Sequence, residues 1–218
     1  MAKYFLDTEF HEYKNNGVDT IELISIGIVC EDGREYYQVC KDFNFYAAYA
    51  NDWLRENVLK NILRDLDDAI FSQDISYFIY AQTLLAKHGN SLEQIKSGVL
   101  DFISNDEHPE FYGYYCDYDW VVFCWLFGRM IDLPKHFPMY CRDLKQMLDS
   151  MYMNQVNKYE GKTRLEAWLE DVKKHPNYPK QENEHNALAD ARWNKALYDF
   201  LNAYDYPNNP NQPAKRNN

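Results

Sequence analysis

Asp7 and Glu9 stand two apart in the segment Phe5-Leu6-Asp7-Thr8-Glu9-Phe10. Side chains at i and i+2 of a strand leave from the same face, so this segment sets two carboxylates side by side. Two anions on an otherwise apolar strand repel each other and lose hydration unless a cation neutralises them. A hard divalent ion that prefers oxygen, Mg²⁺ or Mn²⁺, suits such a pair. The same spacing on a solvated face carries no chemistry, and Asp-x-Glu alone does not separate the two readings. A second pair, Asp117 and Asp119, lies in Gly113-Tyr114-Tyr115-Cys116-Asp117-Tyr118-Asp119-Trp120, where Asp117 is equally well placed to cap a helix. A third group, Glu184-His185-Asn186-Ala187-Leu188-Ala189-Asp190, puts a histidine at a helix mouth and an acid one turn inside. A lone histidine is more often a surface or packing residue than a catalyst. The three groups taken in order, acids after the first strand, acids after the fourth, and His185 with Asp190 at the last helix, give a catalytic reading more weight than any of them gives alone.

These residues need elements to hold them. Lys3 to Asp7 begins a short apolar strand, and Ile21 to Cys30 is a β-branched run. Glu31-Asp32-Gly33-Arg34 then reads as a hairpin turn into Glu35 to Val39. From Asn51 onward the pattern is helical, and Ser91-Leu92-Glu93-Gln94 matches a capping box ahead of Ile95, Val99, Phe102 and Ile103. Glu110 to Tyr115 predicts a fourth strand, Tyr118 to Met130 a buried helix, and Pro138 to Cys141 a last short strand running into a helix at Arg142 to Met151. Asn186 to Ala203 carries Leu188, Trp193, Leu197, Phe200 and Leu201 on one face, a closing amphipathic helix. Strand followed by helix, repeated, indicates an α/β layer structure. Residues 151–183 are polar around a helix-like stretch at Thr163 to Lys173 and read as an insertion or flap. Residues 207–218, with three Pro and five Asn, read as a disordered tail, so residues 1–206 form one domain. Trp53, Trp120 and Trp125, in apolar helical surroundings, read as packing residues.

Composition bounds the partners. Hydrophobic residues at 46% and charged residues at 26% of 218 disfavour both a disordered chain and a membrane bundle. Thirty-four acidic against 23 basic residues give a formal charge of −11, which excludes a uniformly basic surface binding nucleic acid through bulk electrostatics. The first residues meet Asp7 too soon for a signal peptide, and no run reaches the ~18 apolar residues of a membrane span. Five cysteines without a CxxC pair suggest reduced thiols in a cytoplasm. Aromatic residues at 17%, among them 19 Tyr, suit either a packed core or base stacking.

The Phe5-to-Phe10 segment, the Tyr118-Asp119 element and His185 with Asp190 resemble the DEDDh 3′-to-5′ exonucleases of the ribonuclease-H-like superfamily. The wording of Glu22-Leu23-Ile24-Ser25-Ile26-Gly27, Trp53-Leu54-Arg55-Glu56-Asn57-Val58 and His185-Asn186-Ala187-Leu188-Ala189-Asp190 is similar to compact bacterial and phage exoribonucleases related to a mycobacterial enzyme. The resemblance implies an α/β fold with a mixed sheet of about five strands, the second antiparallel, helices on both faces and the acids at one sheet edge. It implies that Asp7, Glu9, Asp119 and Asp190 hold two divalent cations, Mg²⁺ or Mn²⁺, and that His185 is the general base. Asp119 is chosen over Asp117 because the family's aspartate follows an aromatic residue, here Tyr118. Thr8 and Phe10 would line the pocket for the terminal nucleotide, with Phe10 as a stacking wedge. The implied reaction is metal-dependent removal of nucleoside 5′-monophosphates from the 3′-ends of single-stranded RNA. Single-stranded DNA, or both polymers, is the alternative substrate, and a homodimer is an expected assembly. More distant readings are a non-catalytic nucleic-acid-binding protein and a phosphohydrolase unrelated to nucleic acid. Two bound dications would bring the charge from −11 to about −7, favouring a grip on a few terminal nucleotides over a long basic groove.

Overall fold

The strand that begins at Lys3 runs far past the acids. In the computed structural model, which describes residues 1–66, 75–103, 106–153 and 164–204, β1 spans Lys3–Asn15 and β2 spans Val18–Cys30. Asn16 and Gly17 join them with φ of 50° and 82°. Both angles are left-handed, the conformation that an Asn-Gly hairpin turn supplies. β3 (Glu35–Val39) follows a turn through Gly33, φ 91°.

The sheet order is β3-β2-β1-β4-β5, with β4 at Glu110–Gly113 and β5 at Arg142–Asp143. β2 is antiparallel to both of its neighbours, while β1, β4 and β5 run parallel. The fold is therefore α/β with a five-stranded mixed sheet, as the resemblance implies. Two expectations need correction. The last strand is Arg142–Asp143 and not Pro138 to Cys141, because Tyr112 and Gly113 pair with those two residues. The acids of the first motif are not at a sheet edge either: β1 is paired on both sides and is the middle strand.

Alternation along β1 divides the core. Tyr4 and Leu6 pack with Ile24, Ile26 and Ile28 against one helical layer, and Phe5 packs with Val29 and Tyr112 against the other. The first layer includes α1 (Phe45–Ala50), α2 (Asp52–Leu54), a π turn (Arg55–Leu59), α3 (Lys60–Leu66) and α4 (Ile75–His88). It also includes α5 (Leu92–Ile103) and α6 (Asp117–Trp125). The capping box at α5 forms as its residues predict: Ser91 N–H donates to Gln94 Oε1 at 2.8 Å and Gln94 N–H to Ser91 Oγ at 3.2 Å. The second layer holds α7 (Leu144–Met153), α8 (Arg164–Lys173) and α9 (Ala187–Ala203).

Within residues 164–183, Trp168 is buried and Tyr178 packs on Phe200 of α9. The rest of the expected flap, residues 154–163, and the expected tail, residues 207–218, lie outside the described residues. Of the three tryptophans expected to pack, only Trp120 is buried; Trp53 and Trp125 are 52% and 53% exposed. All five cysteines are free. Among the described residues no helix is long and apolar enough to cross a membrane.

Candidate active site

The division of β1 into two faces also distributes the chemistry. Phe5, Asp7 and Glu9 share the parity that faces α9, while Leu6 and Thr8 face the α6 side. Opposite Asp7 on β2 is Gly27. A Cβ at Gly27 would lie 2.2 Å from the Ala187 carbonyl oxygen and 2.5 Å from Leu188 N. The first turn of α9 thus rests directly on the sheet, and only glycine leaves room for it. Further along α9, Asn194 Nδ2 donates to Leu6 O at 2.9 Å, tying the helix to the residue before Asp7. With α9 so placed, Asp190 joins the strand acids: one oxygen each of Asp7, Glu9 and Asp190 lie within 4.8 Å of one another. Glu9 and Asp190 are buried and Asp7 is half-buried. The β1–β2 register shifts between Glu9 and Phe10, a bulge of the kind found beside functional sites.

The fourth acid arrives from α6. Asp119 is buried, and its Oδ1 accepts from Thr8 N–H at 2.8 Å and from Thr8 Oγ1 at 2.6 Å. Thr8, an expected substrate-pocket residue, is itself buried with its hydroxyl directed to that carboxylate. Asp117 is exposed in the first turn of α6, whose cap position is Cys116 and not Asp117. The Cys116 N–H is satisfied instead by Asp143 Oδ2 at 3.0 Å, which links the end of β5 to the start of α6.

Electrostatically the four carboxylates oppose one another. Burial, followed by the charges of Asp119, Glu9 and Asp190, pushes Asp7 well above the usual carboxylate range. Burial and the charges of Asp190 and Asp119 push Glu9 up to about 8. Burial raises Asp119 to about 6 against the two Thr8 hydrogen bonds, which favour its anion. Burial also raises Asp190, opposed first by its hydrogen bond from Gln181. The ion pairs of the described residues all lie elsewhere. Hard oxygen donors converging with their pKa values raised have the chemistry that suits a divalent cation.

His185 stands at the mouth of α9 with a left-handed backbone, φ 64°. Its N–H donates to Asp190 Oδ2 at 2.9 Å, and Gln181 Nε2 donates to Asp190 Oδ1 at 2.7 Å. Its ring meets Trp53 edge-on at 4.9 Å between centroids, so Trp53 is part of the site's wall and not buried packing. Phe10 is half-buried and stacks on exposed Tyr118, 6.0 Å between centroids and 21° between planes.

The three acid elements and the histidine thus lie together in the structure. Sequence reasoning missed Gln181, for which no spacing signal exists, and gave no role to Asn186. Asn186 carries the ordinary sign of a cap, an Asn ahead of an apolar helix, and its Oδ1 accepts from Ala189 N–H at 3.0 Å.

A family model described as the 3′-5′ exoribonuclease Rv2179c-like domain matches residues 2–201. The 3′-5′ exoribonuclease Rv2179c of Mycobacterium tuberculosis strain H37Rv is 31% identical over 192 residues, 87% of this chain and 87% of its own length. The 3′-5′ exoribonuclease MT2234.1 of strain CDC 1551 shows the same identity and coverage.

Proposed function

The chain belongs to the Rv2179c-like family of 3′-5′ exoribonuclease domains, and on that footing we propose that it is itself a metal-dependent 3′-5′ exoribonuclease. It shortens single-stranded RNA from the 3′-end in the manner of DEDDh enzymes of the ribonuclease-H-like superfamily and releases nucleoside 5′-monophosphates. The observation that carries this reading is the convergence of Asp7, Glu9 and Asp190 oxygens within 4.8 Å, with no cationic side chain paired to them among the described residues.

Asp7, Glu9, Asp119 and Asp190 would hold two divalent cations, Mg²⁺ or Mn²⁺. Bound there, such ions supply a water of lowered pKa and neutralise charge developing on the leaving oxygen. The chain's own residues do the rest. Thr8 fixes Asp119 through Oδ1, and Gln181 and the His185 N–H fix both oxygens of Asp190. These donors favour the anionic forms of Asp119 and Asp190 against burial and hold them oriented. As the attacking water adds to phosphorus and the bond to the 3′-oxygen breaks, the His185 imidazole takes the water's proton. Phe10, braced on Tyr118, would stack on the terminal base, and the main chain at Thr8 would meet the 3′-end.

The test uses purified protein with 5′-labelled single-stranded RNA and DNA in Mg²⁺, Mn²⁺ or EDTA. A ladder of 3′-shortened RNA that EDTA abolishes, with nucleoside 5′-monophosphates as products, is expected. Intact RNA under every metal would overturn the reading, and faster loss of DNA than of RNA would reassign the substrate.

A further inference from the structure

The helical segment from α2 to α3 carries Trp53, Asn57, Asn61 and Asp65 at four-residue spacing. On a regular α-helix each such step overshoots a full turn by about 40°, so four positions would wind away from any one neighbour. Here the turn Arg55–Leu59 is π, with the Lys60 N–H reaching back to Arg55 O. A wider turn reduces the overshoot and keeps the four residues closer to one line; such turns are frequent at functional sites. The line is stitched along its length: Asn57 Nδ2 donates to Trp53 O, and Asn61 Nδ2 to Asn57 O, each at 2.9 Å.

Trp53, Asn61 and Asp65 each meet the segment of residues 184–186. Trp53 touches the His185 ring. With one amide proton of Asn61 on Asn57 O, the other is shared by Glu184 O at 3.3 Å and His185 O at 3.4 Å. Asp65 Oδ2 accepts from the buried Asn186 Nδ2 at 2.7 Å and from Tyr37 OH at 2.8 Å. The segment held this way is conformationally expensive, with Asn183 at φ 55° and His185 at φ 64°. Non-glycine residues stay in that region when their surroundings over-determine them.

We propose that Asn61 and Asp65 are positioning residues for His185: they lock residues 184–186 into the left-handed turn that sets the imidazole, and Trp53 bounds the swing of its ring. Neither Asn61 nor Asp65 touches reacting atoms. The inference rests on the reading of His185 as the general base and names what orients that base.

The experiment compares Asn61→Ala, Asp65→Ala, Asp65→Asn, His185→Ala and the double variant Asn61→Ala/His185→Ala in the full chain. Rates on labelled RNA at saturating Mg²⁺ are measured together with melting temperatures and the NMR signals of ¹³C-labelled histidine rings, the His185 signal being the one His185→Ala removes. Asn61→Ala and Asp65→Ala should lower kcat by about 10-fold or more, the scale of a sub-ångström to ångström misplacement, with KM unchanged. Both should move the His185 signal. Asp65→Asn keeps an acceptor for Asn186 and Tyr37 and should restore most of kcat. The double variant should be no slower than His185→Ala alone, because one function is lost once. If His185→Ala is crippled while Asn61→Ala and Asp65→Ala keep normal kcat and an unmoved His185 signal, the inference fails and the proposed function stands. Multiplying losses in the double variant also overturn it, since the stripe would then act elsewhere. Full activity in His185→Ala removes the general-base reading and this inference together.

Discussion

Asp7, Glu9, Asp119 and Asp190 are carried by regular elements, whereas His185 is carried by an irregular turn. The strand acids lie on β1, paired to β2 on one side and to β4 on the other. Asp190 lies inside α9, which rests on Gly27 and is tied to Leu6 by Asn194. His185 precedes α9 in a left-handed conformation, held by side chains: its N–H donates to Asp190 Oδ2 at 2.9 Å, its carbonyl accepts from Asn61 Nδ2 at 3.4 Å, and its ring meets Trp53. The difference follows from what each group has to withstand. Like charges gathered in a buried place push apart, and a backbone ladder with a packed core behind it resists that push. His185 carries no such charge, and side-chain bonds with Asn61, Asp65 and Asp190 are enough to hold its turn.

Changes to the rigid half should be felt most. Asp7→Asn removes a charge that no neighbour replaces, and RNA shortening should fall beyond detection in a gel assay. The metal-free variant should meanwhile melt higher than the parent, since one repelling anion is gone. A variant that is inactive and also less stable would mean that Asp7 holds the fold and not a cation. His185→Ala strikes the half held by side chains. Its kcat should fall by ~10² to 10⁴-fold, the usual range for a lost general base. Mn²⁺ binding measured by calorimetry should stay near that of the parent, because His185 is not among the clustered acids. Equal loss of metal binding would dissolve the division between the two halves.

Gly27→Ala tests whether the halves meet through α9. A methyl 2.2 Å from the Ala187 carbonyl must move backbone, so about 1–3 kcal/mol of stability should be lost, read by denaturant melts. An ångström of drift at Asp190 would reduce the rate by roughly 10²-fold. A normal rate in that variant would show that α9 needs no contact with β2 at this point. Thr8→Val is milder. It removes the hydroxyl bond to Asp119 and keeps the backbone N–H bond. A loss of about 10- to 100-fold in metal affinity or rate is expected for such an outer partner, and a rate unchanged within error would leave the 2.6 Å bond without a role.

The same division governs what could be read from sequence. Asp7, Glu9 and Asp190 were legible because period-two and helical spacing fix where a side chain leaves a regular element. The α/β class, β3 at its full length and the capping box of α5 were legible for the same reason. Choosing Asp119 over Asp117 needed the family pattern, and burial supports it: Asp119 is buried and Asp117 exposed. The strand continuing to Asn15 was hidden because residues 11–16 are polar and charged, while the Asn16-Gly17 turn that ends it was available to be read. Trp53, Asn61, Asp65 and Gln181 could not be placed. Their partners are more than a hundred residues away in the first three cases, and in the fourth the bond depends on how an irregular loop folds back on α9.

The gentlest perturbation changes no residue. Glu9 titrates near 8 in the fold against an ordinary 4.5, Asp119 near 6 against 3.8, and Asp7 well above 3.8. A carboxyl whose folded pKa is raised binds its proton more tightly in the folded chain than in the unfolded one. Its contribution to stability is therefore complete below the unfolded value and is lost as pH climbs through the folded value. In EDTA, the melting temperature should fall as pH rises from about 5 to about 8, and the gap between the parent and Asp7→Asn should widen over the same interval. If the four acids hold the proposed cations, excess Mn²⁺ binds the folded chain and not the unfolded one, and should reverse the order of the two proteins at pH 8. A melting temperature in EDTA that stays flat from pH 5 to 8 would mean that the acids do not repel, and with that the reason for carrying them on the sheet would disappear.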